Sequence, residues 1–167
     1  MEIAVDQIKA LRELTGAGVM DCKKALQQTL GDISKAEETL KANGIAKVEG
    51  KAGRETLEGV VEAYIHSGGR VGAMVELSCE TDFVSRLPEF KELAHSLTMQ
   101  IAAMGPPYLD HPDIPEGDPR NPEDICLLHQ SFIKDESKTI QDLIKELAAR
   151  VGENIRVRKF TRFALGD

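Results

Sequence analysis

Cysteine, long apolar runs and positive charge are all in short supply, and each shortage excludes something. Cys22, Cys79 and Cys126 are the only three cysteines in 167 residues. They are odd in number, far apart and set in apolar surroundings, which argues against a disulfide framework or a zinc site and for buried thiols in a reducing compartment. No apolar run approaches the roughly 20 residues of a membrane span, and the chain opens on helix-like periodicity without the apolar block of a signal peptide, so a cytoplasmic protein is expected. Lys and Arg number 21 against 28 Asp and Glu, a net charge of -7. That balance opposes a broad phosphate-tracking surface, so neither nucleic acid nor a membrane is an expected partner.

Catalytic constellations are missing too. Gly68-Gly69-Arg70 and Gly50-Lys51 lack the spacing of a phosphate-binding loop, and Gly16-Ala17-Gly18 follows a helical pattern instead of a strand. Cys79 with Glu80 and Asp82 could be drawn as a thiol or metal site, but no histidine is near, and a strand cysteine packs in the core. His66, His95, His111 and His129 read as satisfied or exposed side chains. The expectation is a protein that is not an enzyme, with no catalytic residues, no metal ligands and no cofactor. There is no internal repeat and no low-complexity tract.

What is present reads as α+β. Residues 4–14 place Val5, Ile8 and Leu11 on one helical face before glycines break the chain. A second helix follows with Val19, Cys22, Leu26 and Leu30 as its stripe, and Asp32 is placed to cap a third that ends at Asn43-Gly44. Residues 1–46 thus form a small three-helix bundle, 47–58 an exposed linker, and 59–167 a core domain. In the core, Val61, Ala63 and Ile65 alternate on one strand, Ser67-Gly68-Gly69-Arg70 makes a hairpin turn, and Val71, Ala73, Val75, Leu77 and Cys79 share one face of the next strand. A long amphipathic helix runs from Leu87 through Phe90, Leu93, Leu97 and Ile101 to Met104, with Ser85 as a candidate cap and Pro88 in its first turn. Residues 108–123, rich in proline and acid, read as an extended excursion without regular structure. Leu127, Leu128 and Phe132 return to the core. Ile140, Leu143, Ile144, Leu147, Ala148 and Val151 make a last helical stripe, closed by Gly152, before a basic strand over 154–163. The expected core is a three-stranded antiparallel sheet packed against helices.

Between the second strand and the long helix lies a polar loop, Thr81, Asp82, Phe83 and Val84, with one aromatic. Two readings stand for Phe83. Buried, it would stabilise the fold by about 1.5 to 3 kcal/mol. Exposed, on a rigid loop beside a carboxylate, it would enter a partner's pocket at little ordering cost.

Three stretches then carry a resemblance. Residues 11–26, Leu-Arg-Glu-Leu-Thr-Gly-Ala-Gly-Val-Met-Asp-Cys-Lys-Lys-Ala-Leu, resemble the opening signature of the translation elongation factor Ts family of bacteria and organelles. Cys79-Glu80-Thr81-Asp82-Phe83-Val84 is similar to its second signature, and Gly152-Glu153-Asn154-Ile155-Arg156-Val157-Arg158-Lys159-Phe160 to its final strand. The resemblance implies an exchange factor for elongation factor Tu with a ubiquitin-associated-like (UBA-like) N-terminal bundle. It implies that Thr81, Asp82, Phe83 and Val84 enter the GTPase domain and that Phe83 disturbs the elements holding its magnesium ion. It implies a second contact through Arg12, Val19, Met20 and Lys23. The family often carries a longer segment between Met104 and Leu127, so accessory contacts and the geometry of a homodimer stay open. Some short relatives link subunits through a cysteine in the final strand; Thr161 stands there, which excludes a disulfide-linked dimer at that point. The linker, with Val48-Glu49-Gly50, is less basic than in many relatives. Two other classes remain open: an adaptor binding a helix or a ubiquitin-like surface through its first 45 or so residues, and a small enzyme using Cys79.

Overall fold

The structure is a computed structural model that describes residues 3–167. Among these residues the contacts group 3–53 and 148–153 as one compact unit, and 54–147 and 154–167 as another.

The first unit contains helices α1 (Val5–Thr15), α2 (Val19–Gln28) and α3 (Ile33–Glu49). Leu11, Cys22, Ala25, Leu26 and Ala36 make its core with Ile3, and Ile8, Ile33 and Leu40 pack around them. Gly16 ends α1 in the left-handed region, its N–H donating to the Arg12 carbonyl at 2.8 Å, a conformation that costs glycine little. Asp32 caps α3, accepting the Lys35 N–H at 3.1 Å. The ends of the expected apolar stripes do not belong to the core. Val5 and Val19 are the first residues of their helices and are exposed, and Leu30 lies past the end of α2, also exposed. Helical periodicity has no hold on a residue outside the helix. Nor does α3 end at Asn43-Gly44. Gly44 stays helical, and a Cβ there would meet that of Ala149, in the same unit, at 2.9 Å; the glycine serves close packing instead of termination.

In the second unit, β1 (Glu58–Ile65), β2 (Val71–Cys79) and β5 (Ile155–Ala164) form an antiparallel sheet in the order β1-β2-β5. Gly68 and Gly69, both at positive φ, turn β1 into β2, with the Gly69 N–H on the His66 carbonyl. Helix α5 (Pro88–Met104) lies against all three strands. Ala73, Val75, Leu77 and Cys79 are buried beneath it, while Glu62 of β1 meets the His95 imidazole at 3.2 Å. The apolar alternation of Val61, Ala63 and Ile65 belongs to the other, open face, which they share with Met74, Thr161 and Phe163.

Beyond α5 the chain forms α6 (Pro122–Ile125), the short hairpin β3 (Ser131–Phe132) and β4 (Asp135–Thr139), and α7 (Ile140–Val151) before β5. The stretch 108–123 is not the irregular excursion its prolines suggest. The Tyr108 N–H donates to the Ile125 carbonyl at 3.1 Å, and the Leu127 N–H returns to Tyr108 at 2.9 Å, closing the loop at its base. His111–Asp113 forms a turn of 3-10 helix, and Pro122 opens α6. Proline forbids a long helix or a central ladder but suits the first turn of a short helix, where its missing N–H is not needed. His129 Nε2 lies 2.8 Å from Asp110 Oδ1, and Arg120 makes a close pair with Asp118 at 2.6 Å. A buried amide pair ties this region to α5: Gln100 Nε2 donates to Gln130 Oε1 at 3.2 Å and to the Ser131 carbonyl at 3.1 Å, and Gln100 Oε1 accepts the Ile133 N–H at 2.9 Å.

Candidate partner-binding site

The candidate site begins where β2 runs out. Cys79 is the last buried residue of its inner face, and its thiol lies 3.1 Å from the Thr81 carbonyl. Thr81 is extended, at φ -129 and ψ 156, and from it the chain enters one turn of helix, α4 (Asp82–Ser85). A helical turn therefore stands where the sequence suggested a plain loop. Four residues cannot hold a helix alone, since nucleation fixes several dihedrals for each bond gained, and here outside contacts brace it. Val84 and Ser85 are buried. The Ser85 hydroxyl donates to the Asp82 carbonyl at 3.0 Å, and the Arg86 guanidinium pairs with the Asp82 carboxylate at 2.8 Å, one turn on. Ser85 thus closes α4 and does not cap α5; Leu87, extended, occupies that position, with Pro88 following.

On this braced turn Phe83 is 79% exposed, which decides between the two readings of it: the ring is outside the core. Thr81 and Asp82 are half-buried beside it, and Val84 faces inward as the anchor. The four residues are contiguous, but they differ in what they offer. Of the N-terminal candidates, Val19 and Met20 lie in the first turn of α2, and Arg12 and Lys23 on α1 and α2; all four side chains are exposed in the first unit.

Reasoning from sequence missed Glu80. Its carboxylate is mostly buried, with a side chain 12% exposed, and Oε1 accepts the backbone N–H of Asn154 at 2.8 Å while Oε2 faces Arg54 at 3.4 Å. The partners lie 74 and 26 positions away in the chain, so no local pattern could have revealed them. The only hint was a charge set directly after a buried strand residue. The cysteines are buried free thiols, as expected, and each histidine has a partner: His66 the Tyr64 hydroxyl, His95 Glu62, His129 Asp110, and His111 the ring of His129.

An aromatic held outside the core on a turn braced from several sides is the build of a protein-recognition element. Comparison with known sequences says which kind. The profile of the family described as Elongation factor TS matches residues 1–118 and 119–167. Elongation factor Ts of Thermotoga neapolitana is 46% identical, with 100% of this chain and 99% of that protein covered. The Rippkaea orientalis protein of the same name is 47% identical over 99% of this chain and 79% of its own length, and that of Syntrophomonas wolfei 45% identical over 99% and 91%. The chain belongs to the elongation factor Ts family. It is a nucleotide exchange factor of translation, with elongation factor Tu as its partner, and the adaptor reading loses its support. The profile match breaks between Asp118 and Pro119, inside the shortened stretch, and the Thermotoga alignment runs over 195 positions, more than this chain has residues.

Proposed function

We propose that this chain accelerates GDP release from elongation factor Tu by presenting Phe83 to the GTPase domain, where the ring displaces elements that hold the nucleotide's magnesium ion. The observation that carries this reading is Phe83, bare of core contacts on a turn held in place by Val84, Ser85 and the Asp82–Arg86 pair. Magnesium is often the strongest local charge on a bound diphosphate, so moving its ligands weakens ion and nucleotide together. No covalent step and no cofactor of the chain's own is needed, and the protein is not an enzyme in the chemical sense. The acceleration is a coupling free energy: a factor that binds the nucleotide-free partner better than the GDP-bound one lowers GDP affinity by the same ratio, about tenfold for each 1.4 kcal/mol. GTP then rebinds by mass action and releases the factor.

In the same reading Thr81 and Asp82 flank the inserted ring, Val84 supports it, and Arg12, Val19, Met20 and Lys23 form a second contact. Residues 1–46, the first two of which lie outside the described residues, act as a UBA-like docking domain, 47–58 as a linker and 59–167 as the core. Any pairing of two copies is made without a disulfide at Thr161. The protein works in the cytoplasm, without nucleic acid or membrane as a partner. The test is the release rate of a fluorescent GDP analogue from elongation factor Tu, with wild-type chain and with Phe83→Ala. Acceleration by wild type and its loss in the variant supports the loop mechanism; equal acceleration by both moves the mechanism to the N-terminal contact and overturns it.

A further inference from the structure

We infer that Glu80 is a positioning residue for exchange: its carboxylate fixes the turn that presents Phe83, through a bond that extends the sheet beyond its last backbone pair. This rests on the reading of Phe83 just given and adds to it the group that sets the ring's place. The sheet pairing of β2 with β5 ends at Cys79 and Ile155. One residue further on, the Asn154 N–H is met by the Glu80 carboxylate at 2.8 Å. The other carboxylate oxygen faces the Arg54 guanidinium at 3.4 Å, and the Glu80 side chain is mostly buried. Arg54 and Asn154 are the residues at which the chain enters the second unit on two of its passes, so one carboxylate holds two incoming segments against the end of β2.

The geometry matters because Glu80 is adjacent to Thr81, where the backbone leaves the strand for α4. Val84 and Ser85 anchor the far side of the turn, and Glu80 anchors the near side. With both ends tied, the Phe83 ring occupies one place before the partner arrives, and binding spends little on ordering it. Without the near tie, the turn samples other arrangements while the chain still docks through its N-terminal contact. Only the fraction of docked complexes with the ring in place then releases nucleotide quickly, so the maximal rate falls while docking is kept. The acceptor for Asn154, more than the negative charge, is the part that fixes the turn. Glutamine keeps a carbonyl oxygen for that N–H; alanine keeps nothing.

The test measures stimulated release of a fluorescent GDP analogue from elongation factor Tu across a range of concentrations of the full chain, for wild type, Glu80→Gln and Glu80→Ala. The maximal rate at saturation and the half-saturating concentration are read separately. The expected result for Glu80→Ala is a maximal rate lowered by about tenfold, as for loss of one charge-assisted bond in a part-buried site, with the half-saturating concentration little changed. Glu80→Gln should stay within about twofold of wild type in both. A merely destabilised protein would do the opposite, because a smaller folded fraction raises the half-saturating concentration and leaves the maximal rate intact. The Asn154 amide proton gives an independent signature: it should lie downfield in wild type and Glu80→Gln and move upfield in Glu80→Ala. An unchanged maximal rate in Glu80→Ala, with or without a raised half-saturating concentration, overturns the inference while leaving the Phe83 mechanism standing. Failure of the wild type to accelerate release overturns that mechanism and the inference with it.

Discussion

Helices α4 and α6 are each four residues long and use their large apolar side chains in opposite ways. In α6, Ile125 is 4% exposed; in α4, Phe83 is 79% exposed. Neither helix could persist alone, so each is held from outside. The Ile125 side chain goes into the core, the Cys126 N–H closes on the Pro122 carbonyl at 2.8 Å, and the Gln130 amide donates to the Asp124 carbonyl at 2.9 Å. The brace on α4 comes from its own buried residues Val84 and Ser85, from Arg86 just after it and from Glu80 just before it. The difference teaches that a short helix can spend its largest side chain on its own stability or on display. The turn that displays it has to find its anchors elsewhere.

The sharpest break of that comparison is to truncate both side chains. Phe83→Ala should lower the stimulated rate of GDP release by about thirtyfold, as for an interface hot spot of about 2 kcal/mol, with stability within about 0.5 kcal/mol of wild type by denaturant unfolding. Ile125→Ala should do the reverse, costing about 2 to 5 kcal/mol of stability from lost burial and the cavity left behind. Its exchange activity should be kept at temperatures where it stays folded. Release kinetics beside denaturation curves for both variants check this, and a matched loss of stability in the two would abolish the distinction between anchor and display.

How much of this contrast the sequence carried differs between the two helices. The β2 face and the α5 stripe were legible because their periods, two and near 3.6, extend over many residues and were read against one core. Val61, Ala63 and Ile65 obey the same period of two, yet they line the open face of the sheet; alternation names a face but not what covers it. Period arguments have no purchase on four residues, so both α4 and α6 were missed as helices. The four-proline stretch hid its order for a related reason, since its structure lies in bonds between distant positions, such as Asp110 to His129 and Tyr108 to Leu127. At the site, Phe83 stood out as an aromatic among charges, whereas Glu80 did not, because its partners are remote in the chain.

A milder test loosens the support of α6 without touching its apolar anchor. Gln100→Ala removes the donor to Gln130 and Ser131 and the acceptor for the Ile133 N–H. The cost should be about 1 to 3 kcal/mol, because buried polar groups left without partners lose more than the bond was worth. Protection from amide hydrogen exchange should fall at Ile133 and around α6, while the amides of α4 keep wild-type protection. Equal loss in both helices would mean that they share one brace and are not held independently.

The smallest effect expected is in acid, at the join that leads into α6. Asp118 is held at about 2 by its hydrogen bonds to the Arg120 side chain and backbone, opposed by slight desolvation. Arg120 in turn lies over the Tyr108 ring, 5.9 Å from its centre. A carboxylate whose folded pKa is depressed stabilises the fold in full above its unfolded value, near 3.9, and loses that contribution as pH falls towards 2. Asp110 acts in the same sense: partial burial pushes its carboxyl up, but the His129 imidazole and the His111 N–H pull it down further, leaving it below the ordinary carboxylate value. Above pH 5, therefore, the join into α6 should be insensitive to pH in these two groups, and between about 4 and 2 it should loosen. The carboxyl carbon shift of Asp118, followed by NMR from pH 6 downward, should turn at about 2, with the Arg120 amide moving along with it. Asp118→Asn should remove that movement at Arg120 and leave the amides of α4 unchanged. A midpoint at the ordinary carboxylate value would show that the Asp118–Arg120 pair does not hold the join, and that α6 depends on Ile125 and the Gln100–Gln130 pair alone.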